Sequence, residues 1–374
     1  MNKIIRVYTA HTINTVAGSI IGVYVPAYLL TLGYPLARVI LFYVITHGVG
    51  LLFGLFLFVP LVKKWGLLNT FKLYYPLQIL TLLFLSLLKS HYGLPEIVAI
   101  FNGLANFAYW IPLNIFLIKH SDYQEMGSSL SKFFALPSLF GIIGPLIGAV
   151  LIPFIGFWPV FVITAIGVLV SFVPLAHIGD KEIAITLNLS KAWRRIKRDK
   201  ILFLFEFFDN IIEESEWFWS IYVFIVIGSL STPGIVGSLQ AIGGSVFTLL
   251  IGKYANKHGK KLIPIAALLL LFVTFLRIFI KQPLSAYSVT VVASFLLSLF
   301  LVAYFSTIYK TVKNDKEEEF MVLREISTVL GRMVVLGAIY LTLPYLRFFF
   351  ILPLFTIILL LFLYVVKGKS LVSY

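Results

Sequence analysis

The chain has 374 residues, of which 60% are hydrophobic and only 12% are charged, and its mean hydropathy is +0.99. This composition predicts a multi-pass membrane protein and leaves no segment for a soluble domain. The absence of cysteine excludes disulfides, thiol catalysis and cysteine-bound metal.

Long apolar runs, separated by turn residues or by charge, predict an all-α integral membrane protein with twelve spanning helices. Lys3 and Arg6 precede the first run as they would in a signal peptide. That run is too long for one and has no cleavage site, so we expect a retained first helix. The predicted spans are 4–30, 37–62, 70–88, 95–118, 129–152, 157–178, 201–228, 233–252, 262–281, 285–309, 321–343 and 348–366.

The formal net charge of +14 comes from basic residues concentrated in alternate loops, and no single soluble face collects them. This distribution argues against a nucleic-acid partner. By the positive-inside rule it places both termini in the cytoplasm of a cell-membrane protein. The most basic segment, 179–200, separates the N-terminal half, 1–178, from the C-terminal half, 201–374. Its Trp193 and basic residues predict a short helix on the anionic inner leaflet of the lipid bilayer.

Two histidines and an asparagine lie in the first two spans. In span one, His11 and Asn14 are candidates to line a cavity, and His11 could titrate near neutrality or simply pack. In span two, His47 has only Tyr43 as a polar neighbour at helical spacing. We therefore expect a packing role for His47.

Span four carries a polar stripe in which one polar side chain recurs every four residues, on one slowly winding helical face. Amide and indole groups suit a neutral or cationic ligand. Hydrogen bonding between helices is the alternative for any single asparagine. The stripe consists of Asn102, Asn106, Trp110 and Asn114.

Span five contains small residues at intervals of three or four, which permit close approach of another helix. They are Gly141, Gly144 and Gly148, with Pro145 placed to bend the span. The pattern fits helix packing, and it also fits a motif discussed below.

Span seven carries five carboxylates and one amide inside an apolar run. Each acid near mid-bilayer costs ~2 to 3 kcal/mol on insertion scales, so the helix is expected to face a polar cavity. Clustered carboxylates also repel one another's charge and hold protons to higher pH than free acids do. The predicted proton or substrate residues are Glu206, Asp209, Asn210, Glu213, Glu214 and Glu216. Buried structural pairing is the alternative.

Span eleven carries Arg332 at a depth similar to that of Glu213. An unpaired arginine there is costly, so we expect an ion pair with a span-seven acid, and Glu213 is the first candidate. The remaining acids are then expected to be only partly compensated. Arg324 and Glu325, at the start of the span, are expected to form a cytoplasmic gate or cap.

Six helices, a basic linker and six further helices indicate a duplicated half, and short basic segments in the two halves resemble each other. The segment between spans two and three contains Lys64 and Gly66, with Lys63 at an otherwise acidic position. Its counterpart between spans eight and nine contains Gly252, Asn256, Lys257, Gly259, Lys260 and Lys261.

These segments resemble the signature Gly-x-x-x-Asp-Arg-x-Gly-Arg-Lys of the major facilitator superfamily. Asn256 replaces the usual Asp in the second copy, and the first copy matches only at Lys64 and Gly66. The span-five residues Gly141, Gly144, Pro145 and Gly148 resemble the glycine–proline motif of the proton antiporters in that family.

The resemblance implies two six-helix halves with inverted repeats, rocking around a central cavity lined by spans one, four, seven and ten. We expect a monomeric secondary transporter whose partners are a small-molecule substrate, protons and membrane lipids. No cofactor, no metal and no enzymatic activity are expected. Proton-coupled efflux of a cationic or amphipathic molecule fits the span-seven acids best. An uncoupled facilitator, a channel, a lipid scramblase and an intramembrane enzyme are the alternatives.

Overall fold

A computed structural model describes residues 3–89, 95–120, 126–178, 189–312 and 317–367. Within these ranges the chain is helical and contains no strand. In the N-terminal half the helices are α1 (Lys3–Gly22), α2 (Val25–Thr31), α3 (Leu36–Leu52), α4 (Phe58–Trp65), α5 (Leu67–Lys72), α6 (Tyr74–Leu87), α7 (Pro95–His120), α8 (Met126–Gly141), α9 (Ile143–Ile155) and α10 (Phe157–Phe172). The remaining α-helices are α11 (Leu189–Arg198), α12 (Lys200–Ile227), α13 (Thr232–Arg277), α14 (Pro283–Val312), α15 (Glu317–Leu341) and α16 (Ile351–Lys367).

Nine helical segments in the described ranges are long and apolar enough to cross a membrane. The predicted spans seven and eleven correspond to α12 and α15, which are not among the nine because each carries several charged residues. Predicted span nine is the second part of the long helix α13. The all-α membrane architecture predicted from the sequence is thus confirmed.

Helix α13 contains two predicted spans within 46 residues. The Gln240 side chain donates to the main-chain oxygen of Glu216 at 3.2 Å, and Arg277 contacts the carboxylate of the same residue. A straight helix would separate Gln240 from Arg277 by about 55 Å. The axis of α13 therefore reverses direction between these two residues, and its two parts lie side by side against α12.

Two predicted spans are interrupted by proline chemistry. Span one is divided between α1 and α2, where Pro26 occupies the first turn of the second helix. Span five is divided at Ile142, and Pro145 has no N–H to donate to the carbonyl of Gly141. The Ser19 hydroxyl lies 3.1 Å from that carbonyl and 2.8 Å from the carbonyl of Val16, so α1 offers a shared donor to the oxygen that the proline leaves free.

The glycines of span five bring α8 and α9 against α1. A Cβ atom at Gly144 would lie 2.9 Å from the carbonyl oxygen of Val16, and one at Gly148 would lie 2.6 Å from that of Ile20. Both distances are too short for a side chain. These glycines therefore permit close packing against α1, and this packing does not by itself establish antiport.

Candidate functional site

A cavity of about 530 Å³ lies between helices of both halves. In the N-terminal half, α3 and α7 line it with Tyr43, Thr46, His47, Asn102, Asn106, Phe107, Trp110 and Asn114. In the C-terminal half, α12, α13, α14 and α15 line it with Glu213, Glu214, Trp217, Thr248, Ser298, Leu301, Val302, Arg324, Glu325, Thr328 and Arg332. One wall is thus built of amides and aromatic rings, and the other carries the charge.

The charged wall forms because α12 and α15 approach each other closely at Gly331. A Cβ atom at this glycine would lie 2.5 Å from the main-chain oxygen of Phe207 and 3.2 Å from Cβ of Asn210. The Asn210 amide nitrogen in turn lies 3.2 Å from the hydroxyl of Thr328. This contact sets the carboxylates of α12 opposite the arginines of α15.

Arg332 contacts two carboxylates of α12. Its Nη2 atom is 3.6 Å from Oε2 of Glu213, and its Nε atom is 3.4 Å from Oε2 of Glu214. The predicted ion pair is therefore present, and it includes both neighbouring acids. The Glu213 side chain is 49% exposed to the cavity, whereas that of Glu214 is only 7% exposed.

A second ion pair also connects α12 and α15. The Nε atom of Arg324 lies 3.1 Å from Oε2 of Glu206, whose side chain is fully buried. Glu206 was predicted as a proton or substrate residue close to one end of span seven. The structure places it behind the cavity lining, where it neutralises Arg324.

Asp209 is the acid of α12 that lies between these two ion pairs without joining either. Its side chain is buried, at 1% exposure, and neither carboxylate oxygen has a hydrogen-bond partner among the described residues. Burying an ionised carboxylate without a partner is costly. Asp209 is therefore a candidate to carry a proton.

Glu216 has a different role from the one predicted. Arg277 donates to both of its carboxylate oxygens, at 2.6 and 2.7 Å, and the guanidinium also stacks on Trp219. Arg277 is the last residue of α13, yet it is only 1% exposed. Glu216 is thus a structural partner that joins α12 to the second part of α13, and neither residue lines the cavity.

The predicted polar stripe of span four does line the cavity. All four of its residues contribute, and Trp110 is 41% exposed. Within the stripe, the Asn106 amide donates to the main-chain and side-chain oxygens of Asn102 at 3.0 and 3.2 Å. Trp110 thus leaves part of its side chain open to the cavity, whose other wall carries the acids of α12.

A second cavity of about 430 Å³ adjoins the first and is lined by uncharged residues, including Asn14 and Gln78. The two cavities share Tyr43, Asn102, Asn106, Trp110 and Trp217 in their walls. The rings of Tyr43 and Trp217 meet with their centroids 4.2 Å apart. This aromatic contact joins the two halves and lies in the wall of both cavities.

His11 does not line either cavity. Its Nδ1 atom lies 2.6 Å from the Tyr109 hydroxyl, and its ring stacks on Phe133 with 4.7 Å between centroids. The side chain is 3% exposed, which fits the packing role that was the alternative for this histidine. Asn14 does line the second cavity, and it accepts a hydrogen bond from the Tyr74 hydroxyl at 2.9 Å.

His47 is the site residue that the sequence interpretation missed. Its Nε2 atom lies 3.4 Å from Oε1 of Glu214, so it meets the carboxylate on the side opposite Arg332. The partner is on another helix, 167 residues away in sequence. Helical spacing within α3 therefore gave no signal for this contact.

Within the basic linker, residues 189–198 form helix α11, and one of its basic side chains packs against the bundle. Arg195 is 6% exposed, lies 3.3 Å from Asp199 and stacks on Phe320 at the start of α15. Arg194 and Arg198 remain exposed. One edge of the linker helix is thus anchored to the helix that carries Arg324 and Arg332.

The structure describes the side chains of the first basic segment but not most of those of the second. Gly66 has a φ of 86°, a value that favours glycine, and it separates α4 from α5 beside Lys64. The side chains of residues 251–260 lie outside those described, which leaves the roles of Gly252, Asn256, Lys257, Gly259 and Lys260 as predictions. Lys261 is exposed. In the described part of the chain, no group of three or more His, Asp or Glu side chains is arranged to hold a metal ion.

The chain is a helical membrane bundle with a charged cavity between its two halves. We compared this fold with those of solved structures. A bacterial homologue of the iron transporter ferroportin, in an outward-facing state, superposes with a TM-score of 0.71 at 12% identity, covering 99% of this chain and 100% of that one. The transporter FucP in its outward conformation gives 0.70 at 12% identity, covering 97% of each chain. A variant of the E. coli fucose:proton symporter FucP gives 0.67 at 15% identity, covering 96% of each chain.

The chain thus has the fold of the major facilitator superfamily, as the resemblance of its motifs implied. No protein-family model matches the sequence, and no curated protein matches it.

Proposed function

We propose that this protein is a secondary active transporter that works by alternating access and exports a cationic or amphipathic small molecule in exchange for protons. It acts as a monomer in the cell membrane with both termini in the cytoplasm. Its fold is that of proteins described as transporters, one of them a proton symporter. That likeness supports the general class, whereas the substrate and the coupling rest on the cavity.

The proposal rests on the excess of carboxylates over guanidiniums in the cavity wall. Arg324 and Arg332 are the two arginines in this wall. They face three carboxylates in the same wall, those of Glu213, Glu214 and Glu325, and the carboxylates of Glu206 and Asp209 are buried behind it. The wall therefore holds more carboxylates than guanidiniums, and a cation entering the cavity is attracted to it.

Glu213 is the acid best placed to bind such a cation. It is half exposed, and its contact with Arg332 is longer than that of Glu214. Trp110 and Trp217 line the same cavity and offer aromatic faces on which a flat or quaternary cation can lie. A substrate that carries both an apolar ring and a positive charge therefore fits the two walls together.

Protons compete with the cation for the same carboxylates. Uptake of a proton by Glu213 removes the charge that holds the substrate, and Asp209 provides a second, buried carboxylate one helical turn away on α12. Glu214 is held from both sides by His47 and Arg332 and serves mainly to position the arginine. We therefore assign proton exchange to Glu213 and Asp209 ahead of Glu214.

The test uses proteoliposomes with an imposed pH gradient and a fluorescent aromatic cation, ethidium, as the probe. The parent protein is expected to accumulate ethidium against its gradient. Glu213→Gln or Asp209→Asn, at least one of the two, is expected to abolish accumulation yet retain exchange of ethidium for ethidium, since exchange moves no net proton. Glu319→Gln changes a carboxylate outside the cavity wall and serves as the control.

Two results would contradict the proposal. A parent protein whose flux ignores the pH gradient would be an uncoupled facilitator, a channel or a scramblase. Parent-like accumulation by both variants would make the acids of α12 a structural or cation-binding cluster without a part in proton exchange.

A further inference from the structure

A crevice on the outer surface of the bundle lies between α3 of one half and α15 of the other. Its volume is about 650 Å³. Apart from one charged pair, its walls are apolar, and they consist of Pro35, Ala37, Ile40, Leu41, Val44, Met333, Leu336, Gly337 and Tyr340. Leu41 and Tyr340 are 44% and 57% exposed, so the crevice opens away from the bundle.

The charged pair lies at one end of the crevice. Arg38 donates through Nε to Oε1 of Glu96 at 2.9 Å and through Nη2 to Oε2 at 3.2 Å. The two side chains are 36% and 27% exposed. Both residues occupy the first turn of their helices, α3 and α7, and Arg38 also rests on the ring of Tyr34. The pair is therefore at the membrane boundary.

The rest of the crevice extends from that boundary toward the middle of the membrane. From Arg38 to Val44 the helix rises about 9 Å, and from Tyr340 back to Met333 it rises about 10 Å. At the inner end, the methyl group of Met333 would lie 3.9 Å from a Cβ atom at Gly48. The crevice thus has a polar outer end, an apolar length and a closed inner end.

We propose that this crevice binds one phosphatidylethanolamine molecule, with the head group on the Arg38–Glu96 pair and one acyl chain between α3 and α15. Lipid molecules surround this face of a membrane-spanning bundle. A lipid has a polar head group at the membrane boundary and an apolar acyl chain toward the middle of the membrane, and the crevice has its charged and apolar parts in the same order. The site is separate from the cavity, because the crevice and the cavity have no lining residue in common.

The head group is chosen by charge and by hydrogen-bond capacity. Arg38 has five N–H donors, of which Glu96 takes two, so the others can donate to a lipid phosphate. A carboxylate accepts at about four positions, so Glu96 can still accept from an ammonium group. An ethanolamine head group supplies both the phosphate and the N–H donors. A choline head group lacks the donors, and a glycerol head group lacks the positive charge.

The experiment measures lipid retained on the delipidated, purified protein by native mass spectrometry. Phosphatidylethanolamine, phosphatidylcholine and phosphatidylglycerol with identical acyl chains are added at equal concentration. We expect one phosphatidylethanolamine to be retained preferentially. Arg38→Gln and Glu96→Gln should each lower its retention about tenfold, as loss of hydrogen bonds to a charged group predicts.

A bulky side chain tests the apolar part without changing the ion pair. Gly337 has no atom within 4 Å of an added Cβ, so Gly337→Phe should fill the crevice and displace the lipid. The matched control is Val334→Phe, on the same helix at a position that is 41% exposed and outside the crevice. Arg347→Gln, an arginine beyond the end of α15, is the control for charge and should retain lipid like the parent.

Equal retention of phosphatidylethanolamine and phosphatidylcholine would contradict the proposal that Glu96 accepts a hydrogen bond from the ammonium group. Preference for phosphatidylglycerol would mean that Arg38 merely attracts anionic lipids. Parent-like retention by Gly337→Phe would place the lipid elsewhere. Thermal unfolding of each variant in lipid-free detergent separates loss of binding from loss of folding. If Arg38→Gln unfolds, the comparison of Gly337→Phe with Val334→Phe decides the matter. None of these results depends on transport.

Discussion

At the scale of single residues, Arg332 is the side chain on which most of the charged cavity wall depends. Its guanidinium contacts both Glu213 and Glu214 and so offsets the repulsion between these neighbouring carboxylates. Glu214 also contacts His47 on α3. This arrangement joins α15 to α12 through ion pairs and α12 to α3 through the contact between Glu214 and His47. The two halves of the bundle are therefore connected by polar contacts at the level of the cavity.

We expect Arg332→Gln to lower the stability of the purified protein by about 1 to 3 kcal/mol, because it leaves the buried Glu214 without its cation. Adding Glu214→Gln should recover part of the loss, and the double-mutant cycle should show a coupling of about 1 kcal/mol or more. Glu213→Gln should recover less, since that side chain is half exposed. Thermal unfolding in detergent provides the measurement.

Lys281→Gln is the control for this cycle, because Lys281 is an exposed basic residue. If the losses of Arg332→Gln and Glu214→Gln simply add, the two side chains do not interact in the folded protein and the ion pair is wrong.

The sequence predicted the residues of this wall better than it predicted their partners. A charged side chain at mid-membrane depth is energetically costly unless an opposite charge pairs with it, so the pairing of Arg332 with an acid of α12 could be predicted from the sequence. The partners of Glu206, Glu216 and Glu214 could not, because each lies on another helix and depends on how the helices pack. Arg277 in particular lies near the end of a predicted span, where an arginine ordinarily reaches the membrane surface.

At the scale of helices, glycines decide which pairs come close. The span-five glycines repeat at intervals of three or four, and this repetition predicted a packing surface. Gly331 lies six residues from Gly337, the other glycine of α15, so no repeat of three or four residues marked it. Yet it permits the contact between α12 and α15 that forms the charged wall. The packing role of a glycine outside such a repeat can be recognised only when the position of the neighbouring helix backbone is known.

Gly331→Ala should destabilise the protein and weaken binding in the cavity, because the added methyl group would meet the main-chain oxygen of Phe207 at 2.5 Å. Overpacking of this kind costs about 1 to 3 kcal/mol. The control is Gly337→Ala on the same helix, where nothing lies within 4 Å and the higher helix propensity of alanine should stabilise by up to about 1 kcal/mol. Equal effects of the two changes on unfolding would contradict the close contact.

At the scale of the whole molecule, the two predicted halves touch firmly at one end of the bundle. The Ser231 hydroxyl donates to the main-chain oxygen of Ala149 at 3.1 Å, and Ser238 donates to that of Ile142 at 2.9 Å. A Cβ atom at Gly234 would meet Ala149. Alternating access requires this end, where α9 meets α13, to open while the other end closes.

The absence of cysteine makes this motion directly testable. Ala149→Cys combined with Ser231→Cys should form a disulfide on oxidation, since the two residues are in hydrogen-bonding contact. If the halves rock, the oxidised protein should lose ethidium transport and regain it on reduction. Substrate binding from the opposite side of the membrane should survive the cross-link.

A second cysteine pair within one half shows whether a cross-link as such is harmful. A Cβ atom at Gly141 would lie 3.4 Å from the methyl group of Thr15, so Thr15→Cys with Gly141→Cys can bridge α1 and α8. Because a half that moves as a rigid body keeps this distance, oxidation of this pair should leave the transport rate close to that of the reduced form. Full transport by the oxidised 149–231 pair would contradict rocking, since the contact that must open would then be closed throughout the cycle.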